Sequence, residues 1–220
     1  MDQKISNIRN IGLIYNSQIP AGYPLAEKIL SWLDERGIEG WCCPREDHPD
    51  VDKPADLLIT LGGDGSILRA MRRAAPAGVP VLGLNLGRVG FLTEAQPDAW
   101  EAAMERVLMG EGHVEDRMML RVLLIRDDET IAREDALNDA VISRGALART
   151  VRLRTYIDGA PLTRYVADGL IVSTATGSTA YAYAVGGPIM PPWLAMPPSW
   201  MASAPHQGKA LSKVTASSGA

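Results

Sequence analysis

The sequence has little cysteine, no excess of positive charge and no long apolar run. Its two cysteines, Cys42 and Cys43, are adjacent and therefore poor partners for a structural disulfide, and no CxxC or HExxH pattern suggests zinc. We interpret them as reduced residues at the end of a strand. The net charge of −4, without a basic stripe, argues against nucleic acid as the main partner.

Two further absences concern membranes and secretion. No apolar run approaches the roughly 18 residues of a membrane-spanning helix. The first residues, Met1 to Asn7, lack the apolar region of a secretory signal. We therefore expect a cytoplasmic protein with no membrane partner. The 220 residues, 46% of them hydrophobic, suffice for one large or two small domains with a real core.

The most informative stretch is an apolar run, Leu57 to Leu61, that leads into three glycines around one carboxylate, Gly62-Gly-Asp-Gly65. The run predicts a buried strand, and Ser66 is then suited to cap the helix that follows. Asp64 is thereby placed on a strand-to-helix turn. The three glycines permit positive φ and close approach of a ligand, and the helix N-terminus favours negative charge. The turn suits a phosphate-rich ligand.

Two better-known phosphate loops do not fit this turn. A Walker loop needs Lys and then Ser or Thr after its last glycine, whereas Ser66 directly follows Gly65. The dinucleotide fingerprint fails because Leu68 stands where its third glycine is required. Since Asp and Gly are also ordinary turn formers, a plain turn remains an alternative at this point.

Strands and helices alternate through the first half of the chain. This order predicts an α/β fold, with a Rossmann-like domain over residues 1–112. After the last of its strands comes Asn85 to Leu92, a glycine-spaced loop of the kind that binds ligands at strand ends. The predicted elements are strands at Ile11–Tyr15, Ile38–Cys43, Leu57–Leu61 and Val79–Leu84, and helices over Leu25–Leu33, from Ser66 and over Pro97–Met109.

The period changes after Gly112, where no long helix separates the apolar segments. Residues 113–189 therefore predict a partial, antiparallel β-rich domain. Hairpin signals occur at Asp127-Asp128 and Asp158-Gly159. The strand candidates are Met118–Ile125, Glu134–Ser143, Val151–Ile157 and Leu162–Val166.

Asn138 and Asp139 are unusual in this β-rich region. Both lie inside the predicted strand segment Ala136 to Ser143, although Asn and Asp have low β-propensity. Either they have a functional role, or they mark a bulge or a sheet edge.

A second polar stretch runs from Asp168 through a strand into a hydroxyl-rich turn and a short helix. Thr176, Ser178 and Thr179 supply donors and acceptors that either cap this helix or hold the edge of a purine. Tyr181 is suited to stacking on a base. Capping alone needs only one of these hydroxyls.

Together these stretches resemble the NAD kinase family. The diglycine-aspartate turn alone also resembles turns in phosphofructokinases and diacylglycerol-type lipid kinases, but those families lack the stretch from Asp168 to Tyr181. The resemblance extends from about Ile11 to Ile189, with the motifs in the family's order. They are Gly62-Gly-Asp-Gly65, Asn85-Leu-Gly87 with Gly90-Phe-Leu92, Asn138-Asp139, and Asp168-Gly through Thr176-Gly-Ser-Thr-Ala-Tyr181 with Gly186-Gly-Pro-Ile189.

The resemblance implies transfer of the ATP γ-phosphoryl group to the 2′-hydroxyl of the adenosine ribose of NAD, giving NADP, with Mg²⁺ or a similar divalent ion. Asp64 is then the base that accepts the hydroxyl proton. Asn138 and Thr179 hold the adenine edge, Asp139 the ribose hydroxyls of the other nucleoside, and Asp168 the nicotinamide amide.

The resemblance also implies the remaining binding residues and partners. NAD and ATP are the partners, the full-length family forms homo-oligomers, and no residue is assigned as a metal ligand. The other implied NAD contacts are Gly65, Asn85, Phe91, Thr176, Ala180 and Tyr181. The glycines implied at the phosphates are Gly62, Gly63 and Gly65.

The sequence departs from the family at three places. Asp139 stands where Glu is common, and Ala175 stands where Pro is common. After Ile189 the family continues with more strands, whereas residues 190–220 here hold five prolines and show no strand pattern. We expect an irregular tail on a C-terminally truncated or frameshifted chain, an open sheet edge, poor solubility and little kinase activity. A non-enzymatic remnant with weak nucleotide binding is one alternative, and a diacylglycerol-type lipid kinase relative is another.

Overall fold

The computed structural model describes residues 3–4, 7–46, 53–87, 90–144, 150–192, 194, 200–203 and 211–217. The chain folds into two compact units, Met1–Glu115 and Asp116–Ala220. The sequence predicts a boundary slightly earlier, after residue 112. Within the described ranges, no helix has the length and apolar character needed to cross a membrane.

The first unit is a parallel sheet with helices on both faces. In chain order its elements are β1 (Gln3–Lys4), β2 (Asn10–Tyr15), α1 (Gly22–Asp34), β3 (Glu39–Pro44), β4 (Leu57–Gly62), α2 (Asp64–Ala77), β5 (Val81–Asn85), α3 (Trp100–Leu108) and β6 (His113–Val114). The four-stranded sheet has the order β3-β2-β4-β5, and β1 pairs with β6 in a separate antiparallel ribbon.

Strand β4 is buried along its whole length, as its continuous apolar run predicts. Alternate side chains enter two apolar clusters. Leu57, Ile59 and Leu61 pack with α1 and α3, whereas Leu58 packs with Ala70 and its neighbours on α2.

The register of the sheet sets where its loops lie. Tyr15 of β2 pairs with Leu61 of β4, and Gly62 of β4 pairs with Asn85 of β5, all in parallel ladders. The carboxyl ends of these three strands therefore meet at one edge. In open α/β sheets, this is the edge where ligands bind.

The second unit is built from antiparallel strands. Its elements are β7 (Met119–Arg126), β8 (Glu129–Ala136), β9 (Asp139–Ser143), β10 (Val151–Ile157), β11 (Ala160–Ala167), β12 (Gly169–Ser173), a 3₁₀ turn (Thr176–Thr179), α4 (Tyr181–Ala184), β13 (Trp200–Ser203) and β14 (Leu211–Ser217). They form three sheets, with the orders β14-β7-β8, β12-β9 and β11-β10-β13. The predicted fold class, a parallel α/β domain followed by an antiparallel β-rich one, is confirmed.

Both hairpin turns form where the sequence predicts them. Asp127 and Asp128 have φ values of 51° and 65° and join β7 to β8. Asp158 and Gly159, with φ values of 50° and 79°, join β10 to β11. Positive φ at both central residues matches the right-handed twist of the flanking strands.

The single strand expected across Asn138 is wrong. Strand β8 ends at Ala136 and β9 begins at Asp139, so Asn138 lies between two strands rather than in a bulge or at an edge. The cause is its backbone carbonyl, which accepts a hydrogen bond of 2.8 Å from the N–H of Thr174. The chain is thereby bonded to the turn after β12 at this point.

The expectation of a tail without strands is also wrong where the structure describes it. Strand β13 pairs with β10 over four residue pairs, and β14 pairs with β7 over seven. None of the five prolines falls in either strand, so the missing N–H groups do not affect these ladders. Strands β7 and β10 are thus each paired on both sides, at places where loss of the tail would leave the open sheet edge that we expected. The tail residues 193, 195–199, 204–210 and 218–220 lie outside the described residues.

Candidate active site

Asp64 lies at the carboxyl edge of the parallel sheet, as the first residue of α2. Its carboxylate accepts two backbone hydrogen bonds from the segment that follows β5. The N–H of Phe91 donates to Oδ2 at 2.8 Å, and the N–H of Leu92 donates to Oδ1 at 3.1 Å. Both carboxylate oxygens are therefore held by the backbone.

Asn85 anchors the start of that segment. Its side chain is fully buried, its Oδ1 accepts from the N–H of Gly87 at 3.1 Å, and its Nδ2 donates to the carbonyl of Gly87 at 3.3 Å. The N–H of Leu86 donates to the carbonyl of Gly62 at 3.0 Å. The structure thus gives Asn85 a role in shaping the loop, and its predicted contact with NAD stays a prediction.

The three glycines around Asp64 differ in what they do. None of them has positive φ, so the turn does not use the left-handed conformation that glycine permits; Gly63, the N-cap, is extended at φ −107° and ψ −170°. A Cβ at Gly62 would overlap the Ser66 hydroxyl. At Gly63 and Gly65 an added Cβ would meet no atom within 4 Å. Packing within the protein therefore does not require glycine at these two positions. The missing side chains leave space for a ligand beside the helix N-terminus.

Ser66 does not cap α2 as we expected, because the helix begins two residues earlier, at Asp64. Its hydroxyl is buried and has no hydrogen-bond partner among the described residues, as is also true of Thr60 on β4. Phe91, by contrast, is 74% exposed directly beside the Asp64 carboxylate. An exposed aromatic ring at this place offers a stacking surface.

In the second unit, Asn138 lies at the break between β8 and β9. Its side-chain Oδ1 is buried and has no partner in the described part of the chain. Such an acceptor is unusual, because a buried polar atom without a hydrogen bond costs free energy. Burial also raises the pKa of Asp139, the first residue of β9, above its usual range.

The hydroxyl-rich turn beside Asn138 is held mostly by its own side chains. Thr174, which the sequence analysis missed, donates to the Leu137 carbonyl at 2.6 Å and accepts from the Gly177 N–H at 3.0 Å. Ser178 donates to the Ala175 carbonyl at 2.6 Å and accepts from the Met190 N–H at 2.9 Å. Both hydroxyls are fully buried. They build the turn and are not available to hold a purine.

Other residues of this turn are freer to bind a ligand. Among the described residues, the Thr179 hydroxyl makes one long contact of 3.4 Å, to the Thr176 carbonyl. The Thr176 hydroxyl is 3.5 Å from the Arg117 guanidinium. Ala180 joins the turn to α4, and Tyr181, the first residue of α4, is 51% exposed.

Asp168 lies apart from Asn138 and Asp139. Strands β9 and β12 pair from Gly169 with Ser143 to Ser173 with Asp139, which places Asp168 at the other end of this ladder. At about 3.3 Å per residue the two ends are roughly 13 Å apart. The Asp168 carboxylate is exposed and lies 3.2 Å from the Arg144 guanidinium.

The described ranges contain no group of three or more His, Cys, Asp or Glu side chains that could hold a metal ion. Mg²⁺, however, usually binds through one or two carboxylates together with substrate phosphates. The Asp64 carboxylate, next to the open space at Gly63 and Gly65, fits that mode of binding.

Comparison with known proteins identifies the family. The model of the ATP-NAD kinase N-terminal domain matches residues 44–112, and the model of the C-terminal domain matches residues 137–205, together more than half of the chain. The chain belongs to the ATP-NAD kinase family. The family predicted from the four motifs is thus confirmed.

Among curated relatives, an NAD kinase of Syntrophobacter fumaroxidans is 45% identical over 194 residues, covering 84% of this chain and 69% of its own length. One from Chloroflexus aurantiacus is 41% identical over 188 residues, covering 84% and 68%. One from Symbiobacterium thermophilum is 43% identical over 191 residues, covering 82% and 68%. These relatives confirm the prediction of an NAD kinase, which is an ATP-dependent phosphotransferase.

Two solved structures share the fold. Yeast NADH kinase complexed with NADH superimposes with a TM-score of 0.75 at 24% identity, covering 97% of this chain and 70% of that one. An NAD kinase from Archaeoglobus fulgidus in complex with ATP gives a TM-score of 0.62 at 27% identity, covering 94% and 72%.

Proposed function

We infer that the chain transfers the γ-phosphoryl group of ATP to the 2′-hydroxyl of the adenosine ribose of NAD, with Asp64 as the base. The observation that carries the assignment of Asp64 is its carboxylate, held by two backbone amides beside open space at Gly63 and Gly65. A sugar hydroxyl is a weak nucleophile at neutral pH. A fixed carboxylate accepts its proton as the bond to phosphorus forms.

The phosphates of ATP bind at the start of α2. The first amides of a helix have no intrahelical partner and, with the helix dipole, attract negative charge. With glycine at positions 63 and 65, no side chain blocks the approach of a phosphate to these amides. Gly62 belongs to the same turn, where its lack of a side chain leaves room for Ser66.

A divalent ion such as Mg²⁺, when bound with ATP, would neutralise negative charge on the phosphates. Asp64 is the carboxylate that would hold it on the protein side. This chain's own part in the reaction is to position the hydroxyl, accept its proton and leave room for the phosphates.

NAD binds mainly through the second unit. Asn138 and Thr179 hold the adenine edge, and the orphaned Oδ1 of Asn138 is the acceptor that an adenine amino group requires. Asp139 holds the ribose of the other nucleoside, and Asp168 holds the nicotinamide amide. The remaining NAD contacts are Gly65, Asn85, Phe91, Thr176, Ala180 and Tyr181.

In a cell this activity supplies NADP. We place it in the cytoplasm, without a nucleic-acid partner; homo-oligomers are what the resemblance implies for the full-length family, and they are not assigned to this chain. The charge of −4 supports the absence of a nucleic-acid partner.

The purified chain tests the function directly. We expect NADP to form from NAD and ATP only when Mg²⁺ is present, and we expect NAD and ATP each to raise the thermal midpoint. A thermal shift without turnover would instead support the alternative of a non-enzymatic nucleotide-binding remnant.

A further inference from the structure

The segment that holds Asp64 is fixed to the sheet at both ends. It leaves β5 at Asn85 and returns at Ala95, which forms a parallel bridge with Leu84. The N–H of Asn85 donates to the Ala95 carbonyl at 2.9 Å, and the N–H of Glu94 donates to the Gly83 carbonyl at 2.9 Å. The amides that face Asp64 are therefore anchored to the edge of the sheet.

Gly90 lies against the Asp64 carboxylate. A Cβ built on Gly90 would overlap Oδ1 of Asp64 and would lie 2.5 Å from its Cγ and 2.7 Å from its Oδ2. Outside Gly90 and its two neighbours in the chain, the three nearest atoms to this Cβ all belong to Asp64. The space that the carboxylate occupies therefore requires glycine at this position.

We propose that Gly90 is a positioning residue for phosphoryl transfer, a proposal that rests on Asp64 being the base. The missing side chain lets the carboxylate lie flat against the loop and receive both amide hydrogen bonds. Any side chain at position 90 turns Asp64 away and breaks the bonds from Phe91 and Leu92 together. A base is effective only in the correct orientation, so a side chain at position 90 should slow the chemical step.

The first test is Gly90→Ala, assayed for kcat and for KM of NAD and ATP. We expect kcat to fall about a hundredfold, the loss typical of a reacting group displaced by about 1 Å. The KM of NAD should stay nearly constant, because the substitution removes no contact to NAD, whereas the KM of ATP should rise, because Asp64 would also hold the divalent ion that accompanies ATP. Gly112→Ala is the control, since its Cβ would meet only Val107, with Cγ2 at 3.6 Å. It should keep the kcat of the parent.

A double-mutant cycle of thermal midpoints tests the contact between Gly90 and Asp64 without an activity assay. Gly90→Ala should lower the thermal midpoint in the parent chain but not in an Asp64→Ala chain, where the overlapping atoms are gone. Equal destabilisation in both backgrounds would mean that Gly90 is needed for something other than Asp64, and it would overturn the proposal.

An unchanged kcat in a folded Gly90→Ala protein, with Asp64→Asn inactive, would also overturn it. If Asp64→Asn is itself fully active, the failure lies instead in the assignment of Asp64 as the base. The two failures are therefore distinguishable.

Discussion

A carboxylate can act as a base only if a lone pair remains after its structural hydrogen bonds are made. An ionised Asp offers about four lone-pair sites on its two oxygens. The amides of Phe91 and Leu92 occupy one site on each oxygen of Asp64. The side chain is thus fixed in orientation and still able to accept a proton.

Asp64→Asn should abolish most of the activity. The amide cannot take up the hydroxyl proton, and loss of general-base catalysis typically costs about 10²- to 10⁴-fold. Its NH₂ group would also face one of the two backbone N–H donors, which costs about 1–3 kcal/mol of stability. The rate of NADP formation and the urea midpoint measure the two effects. Turnover near that of the parent, in a folded protein, would exclude Asp64 as the base.

Asn138→Ala should separate ligand binding from stability. The buried Oδ1 has no partner among the described residues, so removing it should cost the free protein little. NAD binding should weaken by about 1–3 kcal/mol, because the adenine then loses its acceptor. Adding Thr179→Ala should weaken binding further. Calorimetry gives the affinities, and unchanged NAD affinity in the double variant would place the adenine elsewhere.

Individual residues were predictable to different degrees. Asp64 is predictable because a carboxylate among glycines at the end of an apolar run is a local pattern. The contact between Asp64 and the segment that contains Gly90 is not predictable in this way. Phe91 of that segment lies 27 residues from Asp64 in sequence, and only the sheet register brings Phe91 and Asp64 together. The hydroxyls of Thr60, Ser66 and Thr174 have no pattern that marks them in advance.

At the scale of elements, the second unit depends on a link between β9 and β12 outside their ladder. Thr174 makes this link from a fully buried position, by donating to Leu137 and accepting from Gly177. Its backbone N–H also bonds the Asn138 carbonyl at 2.8 Å. The position of the adenine-binding residue therefore depends on a threonine that need not touch the ligand.

Thr174→Val should destabilise the second unit by about 1–3 kcal/mol, because the shape is kept but the Gly177 N–H loses its buried acceptor. Urea unfolding measures the loss. Thr163→Val is the matched control: Thr163 is exposed on β11, so this change should stay within about 0.5 kcal/mol of the parent. Equal effects of the two substitutions would contradict a linking role for the Thr174 hydroxyl.

The elements that local signals define were predicted well. Both aspartate hairpins and the buried strand β4 follow from residue types within a few positions. The break at Asn138 could not be predicted in this way, because it is caused by Thr174, 36 residues further along the chain. Low β-propensity at Asn138 and Asp139 indicated that these positions are unusual, but it did not indicate that the strand breaks there.

At the scale of the whole molecule, the order of elements determines the fold class. The tail shows that proline content alone does not predict whether a segment contains strands. Five prolines suggested that residues 190–220 contain no strand. A proline, however, excludes a ladder hydrogen bond only at its own position. Trp200–Ser203 and Leu211–Ser217 contain none, and both pair with strands of the second unit.

Hydrogen exchange should show these strands in solution, with a pattern that depends on position in the sheet. Among the strands that the structure describes, β14 lies at the edge of its sheet and pairs with β7 alone, so only alternate amides of Leu211–Ser217 should be protected. Strand β7 lies between β14 and β8, so its amides should be protected throughout. A protection factor of about a hundred corresponds to an opening free energy of roughly 2.7 kcal/mol.

Lys213→Pro tests whether β14 causes the protection of its neighbour. Proline removes an N–H and disrupts the strand, so alternate amides of Met119–Arg126 should exchange faster, while those that face β8 stay protected. The exposed edge should also promote association, visible as a higher mass in light scattering. Lys213→Ala keeps the backbone N–H and should leave both strands protected. Uniformly fast exchange across Leu211–Ser217 in the parent chain would contradict the pairing of β14 with β7.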